Sequence, residues 1–172
     1  MEMEGVMFDD MDDEGLALPD WLPTLDKGKH VPHRSQLCAM EAAAWLAGEE
    51  WSDHPRSVHP VIAQIARLAN DTMTDEDRQS LWPLVLASIG TSAPRRPVLW
   101  YRLMHYGLMM QRKYPGNSRK VWEELLKEHA FLTGRIPVRP LEVLATRRQA
   151  SEAIDASLDV VGAGTASRDG SR

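Results

Sequence analysis

The 172-residue sequence contains one cysteine, two phenylalanines and three tyrosines. A single cysteine excludes an internal disulfide, and we expect a reducing, cytoplasmic environment. No apolar run reaches the roughly 18 residues that a membrane-spanning helix requires, and the acidic N-terminus does not resemble a signal peptide. Phosphate-binding loops, nucleophile elbows and the His-Glu-x-x-His zinc motif are also missing, so the common enzyme families receive no support.

Charge is distributed unevenly along the chain. Residues 1–90 carry 6 basic and 17 acidic side chains, whereas residues 91–172 carry 14 and 8. The acidic arm, residues 1–17, holds seven of the acidic side chains among methionine, valine and phenylalanine. Like charges at this density oppose packing, so we expect a disordered arm. The alternative is a peptide of mixed acidic and apolar side chains that docks on a basic surface of this chain or of a partner.

The rest of the sequence predicts an all-α fold, an irregular bundle of five to six short helices in one domain over residues 18–160. Apolar side chains recur at helical spacing, and no segment shows strand alternation. Residues 161–172 are rich in Gly, Ser and Ala and are predicted to be a disordered tail. The first predicted helix covers 36–47 after a Ser35 cap, and the second follows a Ser57 cap with Pro60 in its first turn. The third starts at Thr74 and is kinked or split by Pro83, and the fourth covers 97–113. The fifth runs from a Ser118 cap to Gly134, and the sixth starts at Pro140.

Glu41 lies in the middle of the apolar stripe of the first predicted helix, one turn from Cys38 and Trp45. A carboxylate in that position must be paired or hydrogen-bonded, because an isolated buried charge costs several kcal/mol. The simplest interpretation is that Glu41 accepts hydrogen bonds from His54 or from the loop before the second helix. Other candidate partners are Arg56, His59 and the backbone N–H groups at the start of that helix.

The same residues allow two chemical alternatives. Cys38, Glu41, His54 and His59 are weak candidate metal ligands, with zinc as the metal, although their spacing matches no diagnostic zinc pattern. Glu41, Asp53 and His54 are candidate acid–base residues, which requires that their side chains converge in one pocket. A Cys38 nucleophile is disfavoured, because its helix face is predicted to be buried.

A resemblance appears in this part of the chain. Residues 38–42 read Cys-Ala-Met-Glu-Ala, residues 51–55 read Trp-Ser-Asp-His-Pro, and Asn-Asp and Gly-Thr follow at 70–71 and 90–91. This block of about a third of the chain resembles small uncharacterised proteins of actinobacteria and their phages. The resemblance implies an origin in an actinobacterium or an actinophage, and it implies no activity.

The second half contains basic residues interleaved with aromatic ones, a composition that can hold phosphates and stack bases. Charged helix ends and solvated faces account for the same residues. The candidate nucleic-acid contacts are Arg95, Arg96, Arg112, Lys113, Arg119 and Lys120.

The leading hypothesis is a cytosolic helical interaction or regulatory module that binds a protein partner, and an enzyme is less favoured. Trp51 stands in a charged loop beside Asp53 and His54, and tryptophan is enriched at binding hot spots, so these three residues are the predicted partner contacts. The two alternatives are a small metal-dependent or acid–base enzyme and a nucleic-acid-associated protein.

Overall fold

A computed structural model describes residues 21–31, 36–92 and 96–135 of the chain. They belong to one compact unit, Met1–Val138, and a second unit, Arg139–Arg172, lies wholly outside the described residues. The acidic arm, the sixth predicted helix and the predicted tail are likewise outside them. The prediction of one domain over 18–160 therefore stays a prediction.

The described residues are mainly helical, which confirms the all-α prediction. They comprise β1 (Thr24–Leu25), β2 (Gln36–Leu37), α1 (Ala39–Leu46), α2 (Pro60–Thr72), α3 (Asp75–Arg78), a 3₁₀ turn (Gln79–Leu81), α4 (Trp82–Ser88), α5 (Pro97–Lys113) and α6 (Ser118–Thr133).

Local signals define several helix ends as predicted. Pro97 occupies the first turn of α5, where its missing N–H leaves no hydrogen bond unmade. Gly134 ends α6 with a φ of +64°, a left-handed conformation that glycine adopts without strain. Pro83 splits the third predicted segment, because a proline fits only the first turn of α4. Asn117 rather than Ser118 caps α6, and its side chain accepts from the Lys120 N–H.

The first predicted helix begins too early and the strands were missed. Gln36 and Leu37 pair in parallel register with Thr24 and Leu25, so α1 starts only at Ala39 and its cap is Cys38 rather than Ser35. Two-residue strands are too short for an alternation pattern to indicate them.

The cap of α2 also differs from the prediction. His59 caps this helix through Nδ1, which accepts from the Val61 N–H, and the predicted cap Ser57 precedes it.

The core lies where α6 packs between α2 and α5, with α1 and α4 packed together beside it. Trp82 and Trp122 are fully buried large side chains in this core. The indole Nε1 of Trp122 donates to Ser88 Oγ at 2.9 Å, and Ser88 Oγ donates to the Leu84 carbonyl at 2.8 Å. These two hydrogen bonds satisfy the polar atoms that link α6 to α4.

Candidate functional site

The Glu41 carboxylate is fully buried and receives three hydrogen bonds. Its oxygens accept from the His30 backbone N–H at 2.8 Å, from the Cys38 N–H at 2.8 Å and from His30 Nδ1 at 2.9 Å. The expectation of a satisfied carboxylate is therefore confirmed, but its side-chain partner is His30 and not His54. Glu41 clamps the segment that precedes β2 onto α1, rather than the loop before α2.

His30 connects Glu41 to a second carboxylate and to Trp51. His30 Nε2 lies 3.6 Å from Asp26 Oδ2, and the His30 carbonyl accepts from Trp51 Nε1 at 3.0 Å. Trp51 is half-buried, and its hydrogen bond to the His30 carbonyl holds the same segment in place. The indole N–H of Trp51 is used within the chain, and Trp51 as a partner contact stays a prediction.

A polar network extends from this segment to α2 and α3. Asn70 accepts from the Ala39 N–H at 3.1 Å and donates to the Asp26 carbonyl at 2.9 Å. Arg78 is 1% exposed; its Nε donates to the Asn70 carbonyl and its Nη1 pairs with Asp75 at 2.7 Å. Sequence analysis missed both residues, since a polar side chain on a helix gives no signal of its distant partners. The network joins the segment before β2 to α2 and α3.

The candidate metal and acid–base residues do not converge. The His54 side chain is 69% exposed and bonds to Asp53 at 2.8 Å, whereas the Glu41 side chain is fully buried. His59 is buried at the cap of α2. Within residues 21–31, 36–92 and 96–135, no three or more His, Cys, Asp or Glu side chains form a group that could hold a metal ion. The convergence that the enzyme hypothesis requires is therefore not met.

Cys38 is suited to a structural role. It is buried, and its Sγ accepts from the Glu41 N–H at 3.4 Å as part of the cap of α1. Burial raises the pKa of the Cys38 thiol to about 12. A thiol with that pKa is protonated at neutral pH and is a poor nucleophile.

Two buried histidines form a separate pair between α2 and α6. The rings of His59 and His129 lie 6.3 Å apart, and His129 Nε2 is buried with no hydrogen-bond partner in the part of the chain that the structure describes. Burial, with a smaller contribution from His129, lowers the pKa of His59 to about 4. Burial also lowers the pKa of His129. Both rings are therefore neutral at pH 7.

The basic residues of the second half do not form one patch. Arg96 precedes α5, whereas Arg112 and Lys113 end it, so a 17-residue helix of about 25 Å separates them. Arg119 and Lys120 are paired with Glu123 at 3.3 and 3.0 Å. Arg95 lies outside the described residues. Arg96 is therefore separated from the other candidates, Arg119 and Lys120 are paired, and the nucleic-acid hypothesis stays a prediction.

Helix α5 instead presents an exposed face that sequence analysis did not single out. Positions three or four residues apart share one side of a helix, and here they form the outer face of α5. The outer face comprises Val98, Tyr101, Arg102, His105, Leu108, Met109 and Arg112, all of which are exposed. Val98 is 71% exposed and Tyr101 is 62% exposed. The Tyr101 and His105 rings stack with an interplanar angle of 18°.

Helix α5 is apolar on its opposite side too. Leu99, Leu103, Gly107 and Met110 are buried there. A Cβ atom at Gly107 would lie 3.5 Å from the Leu125 side chain, so the two helices approach closely at this glycine. The missed signal was available in the sequence: α5 has apolar residues on two sides, whereas packing on one neighbour needs a single stripe.

Comparison with known proteins adds no relative: no family model, no curated protein and no solved structure matches the chain. A search of the described helices finds none with the length and apolar character needed to cross a membrane.

Proposed function

We propose that this protein is a cytoplasmic protein-binding module and that the outer face of α5 is its contact surface. The observation that carries the proposal is the exposure of Val98, Tyr101, Leu108 and Met109 along one side of a helix. An origin in an actinobacterium or an actinophage belongs to the same proposal.

The exposed face is unusual because the helix already has a buried apolar side. A surface helix buries one apolar stripe and presents charged residues to water. The outer face of α5 places tyrosine, leucine, methionine and valine there instead. Contiguous exposed apolar side chains mark interaction surfaces, whereas scattered ones do not. Methionine and aromatic side chains are also enriched at protein interfaces.

The charge of α5 itself indicates the chemistry of the partner. Residues 96–113 contain four basic side chains and no Asp or Glu. Arg102 and Arg112 are exposed on the outer face, Arg102 one turn after its first residue and Arg112 at its end. A segment with apolar side chains and flanking carboxylates would therefore complement both the apolar residues and the positive charge of the outer face. The partner that we propose presents an acidic, amphipathic segment to this helix.

The test is site-specific photo-crosslinking in the cells that produce the protein. A photoreactive phenylalanine analogue replaces Tyr101 on the outer face, and the matched control replaces Gln64, an exposed residue of α2. We expect a discrete cross-linked protein from position 101 only, with an acidic, apolar segment at the site of cross-linking. The substitution Met109→Asp should abolish the product, because it places a carboxylate in the apolar stripe. Identical products from both positions would refute the proposal.

A further inference from the structure

We infer that the acidic arm, residues 1–17, docks on the outer face of α5 of its own chain and competes there with the partner. This inference rests on the proposed function, because it concerns the regulation of the same surface.

The arm has both features that the outer face requires. Its seven carboxylates are accompanied by no basic residue. Its apolar side chains are Met1, Met3, Val6, Met7, Phe8, Met11 and Leu16. Methionine adapts to irregular apolar surfaces, and carboxylates are attracted to the arginines of a helix that has no acidic residue.

Charge distinguishes the arm from the other available occupants. A second copy of the outer face would bring Arg102 and Arg112 against the same arginines, and like charges across an interface are unfavourable. The C-terminal segment, residues 136–172, carries five basic and five acidic side chains, so it has no net charge to complement the helix. Among these occupants, the arm alone is strongly acidic.

The connection to the body allows the arm to reach the helix. Trp21 packs edge-on against Trp45 of α1, with ring centroids 6.4 Å apart, and this contact fixes the point from which the arm departs. Twenty residues span up to roughly 66 Å when extended, whereas a unit of about 110 residues is roughly 35 Å across. A tether of this length also gives a local arm concentration on the order of millimolar, so even weak docking is well populated.

Zero-length carbodiimide cross-linking in the full-length chain tests the inference, since this reagent joins only a carboxylate and an amine in contact. His105→Lys places an amine at the centre of the outer face, and Gln64→Lys is the matched control on α2. Both positions are exposed. We expect peptides from the arm to be joined to position 105 at least fivefold more often than to position 64. The yield should fall as salt is raised, because charge attraction is screened.

A second variant separates docking from mere proximity. Met7→Ser combined with Phe8→Ser keeps every carboxylate of the arm and removes two of its apolar side chains. We expect at least a fivefold loss of the cross-link to position 105 and an unchanged circular dichroism spectrum. Equal yields at positions 105 and 64, or no effect of the double substitution, would overturn the inference. Cross-links between isotopically light and heavy chains, mixed in solution, would also overturn it in favour of binding between copies.

The two proposals fail in different ways. If the arm does not cross-link to α5 while Tyr101 still captures a partner, the regulatory inference falls and the proposed function stands. If the arm docks and position 101 captures no partner even in the Met7→Ser, Phe8→Ser chain, the proposed function falls. When both hold, the double substitution should increase partner capture, because it removes the competitor.

Discussion

The Glu41 carboxylate accepts three hydrogen bonds, and the Glu41 side chain is fully buried. Two of the donors are backbone N–H groups, of His30 and Cys38, and neither can turn away without moving its segment. A buried donor that loses its acceptor costs about 1–3 kcal/mol. The residue therefore stabilises the junction between β2, α1 and the segment before them, and it is not available to a substrate.

Glu41→Ala should lower the free energy of unfolding by about 3–5 kcal/mol, because it strands buried groups that the carboxylate now satisfies. The matched control is Glu50→Ala, whose side chain is 95% exposed, and its effect should be within about 0.5 kcal/mol. Urea unfolding followed by tryptophan fluorescence measures both. Equal stabilities of the two variants would contradict the clamp.

At the scale of the element, the buried side of helix α5 contains Gly107, which lies beside Leu125 of α6. The space beside Gly107 accommodates a methyl group, since a Cβ atom there would be 3.5 Å from Leu125 Cδ2, an ordinary contact distance. Glycine is nevertheless a poor helix former, because it loses more backbone entropy on folding than alanine does. The glycine therefore lowers the stability of α5 without being required by its packing.

Gly107→Ala should raise the free energy of unfolding by about 0.5–1 kcal/mol, the difference in helix propensity between the two residues. Gly116→Ala provides the contrast, because Gly116 has a φ of +74° and open space around it. Alanine is strained in that conformation, so this variant should be less stable than the parent. Thermal unfolding of both variants is the measurement. A destabilised Gly107→Ala protein would show that α5 and α6 are packed more tightly than described.

Elements whose ends depend on local chemistry were predictable from the sequence, and those that depend on distant pairing were not. Pro97 and Gly134 act through their own backbone preferences, so the ends of α5 and α6 follow from residue type. His30 meets Glu41 in the segment that follows β1, which pairs with β2 before α1, and a pairing of two residues leaves no periodic signal. The sequence of α5 contains an excess of apolar residues, but only the packing of the helix determines which of its two apolar sides faces water.

At the scale of the whole molecule, the His59–His129 pair links stability to pH. Burial lowers the pKa of both rings in the folded chain. In the unfolded chain the same histidines have their ordinary pKa of about 6.5, so below that pH the unfolded chain binds more protons than the folded chain does. Stability is therefore complete above about pH 6.5 and falls as the pH drops, until the folded ring of His59 titrates near pH 4.

Between pH 7 and pH 5 the His59 contribution alone should lower the free energy of unfolding by roughly 2 kcal/mol. His59→Asn tests this, because asparagine is also a good helix N-cap but does not titrate, so α2 keeps its cap while the proton linkage is lost. The same change at exposed His54 is the control, and it should leave the pH dependence as it is. Urea unfolding at the two pH values supplies the numbers. A full 2 kcal/mol decline that survives in His59→Asn would assign the acid sensitivity to other groups, because the neutral cap would then make no difference.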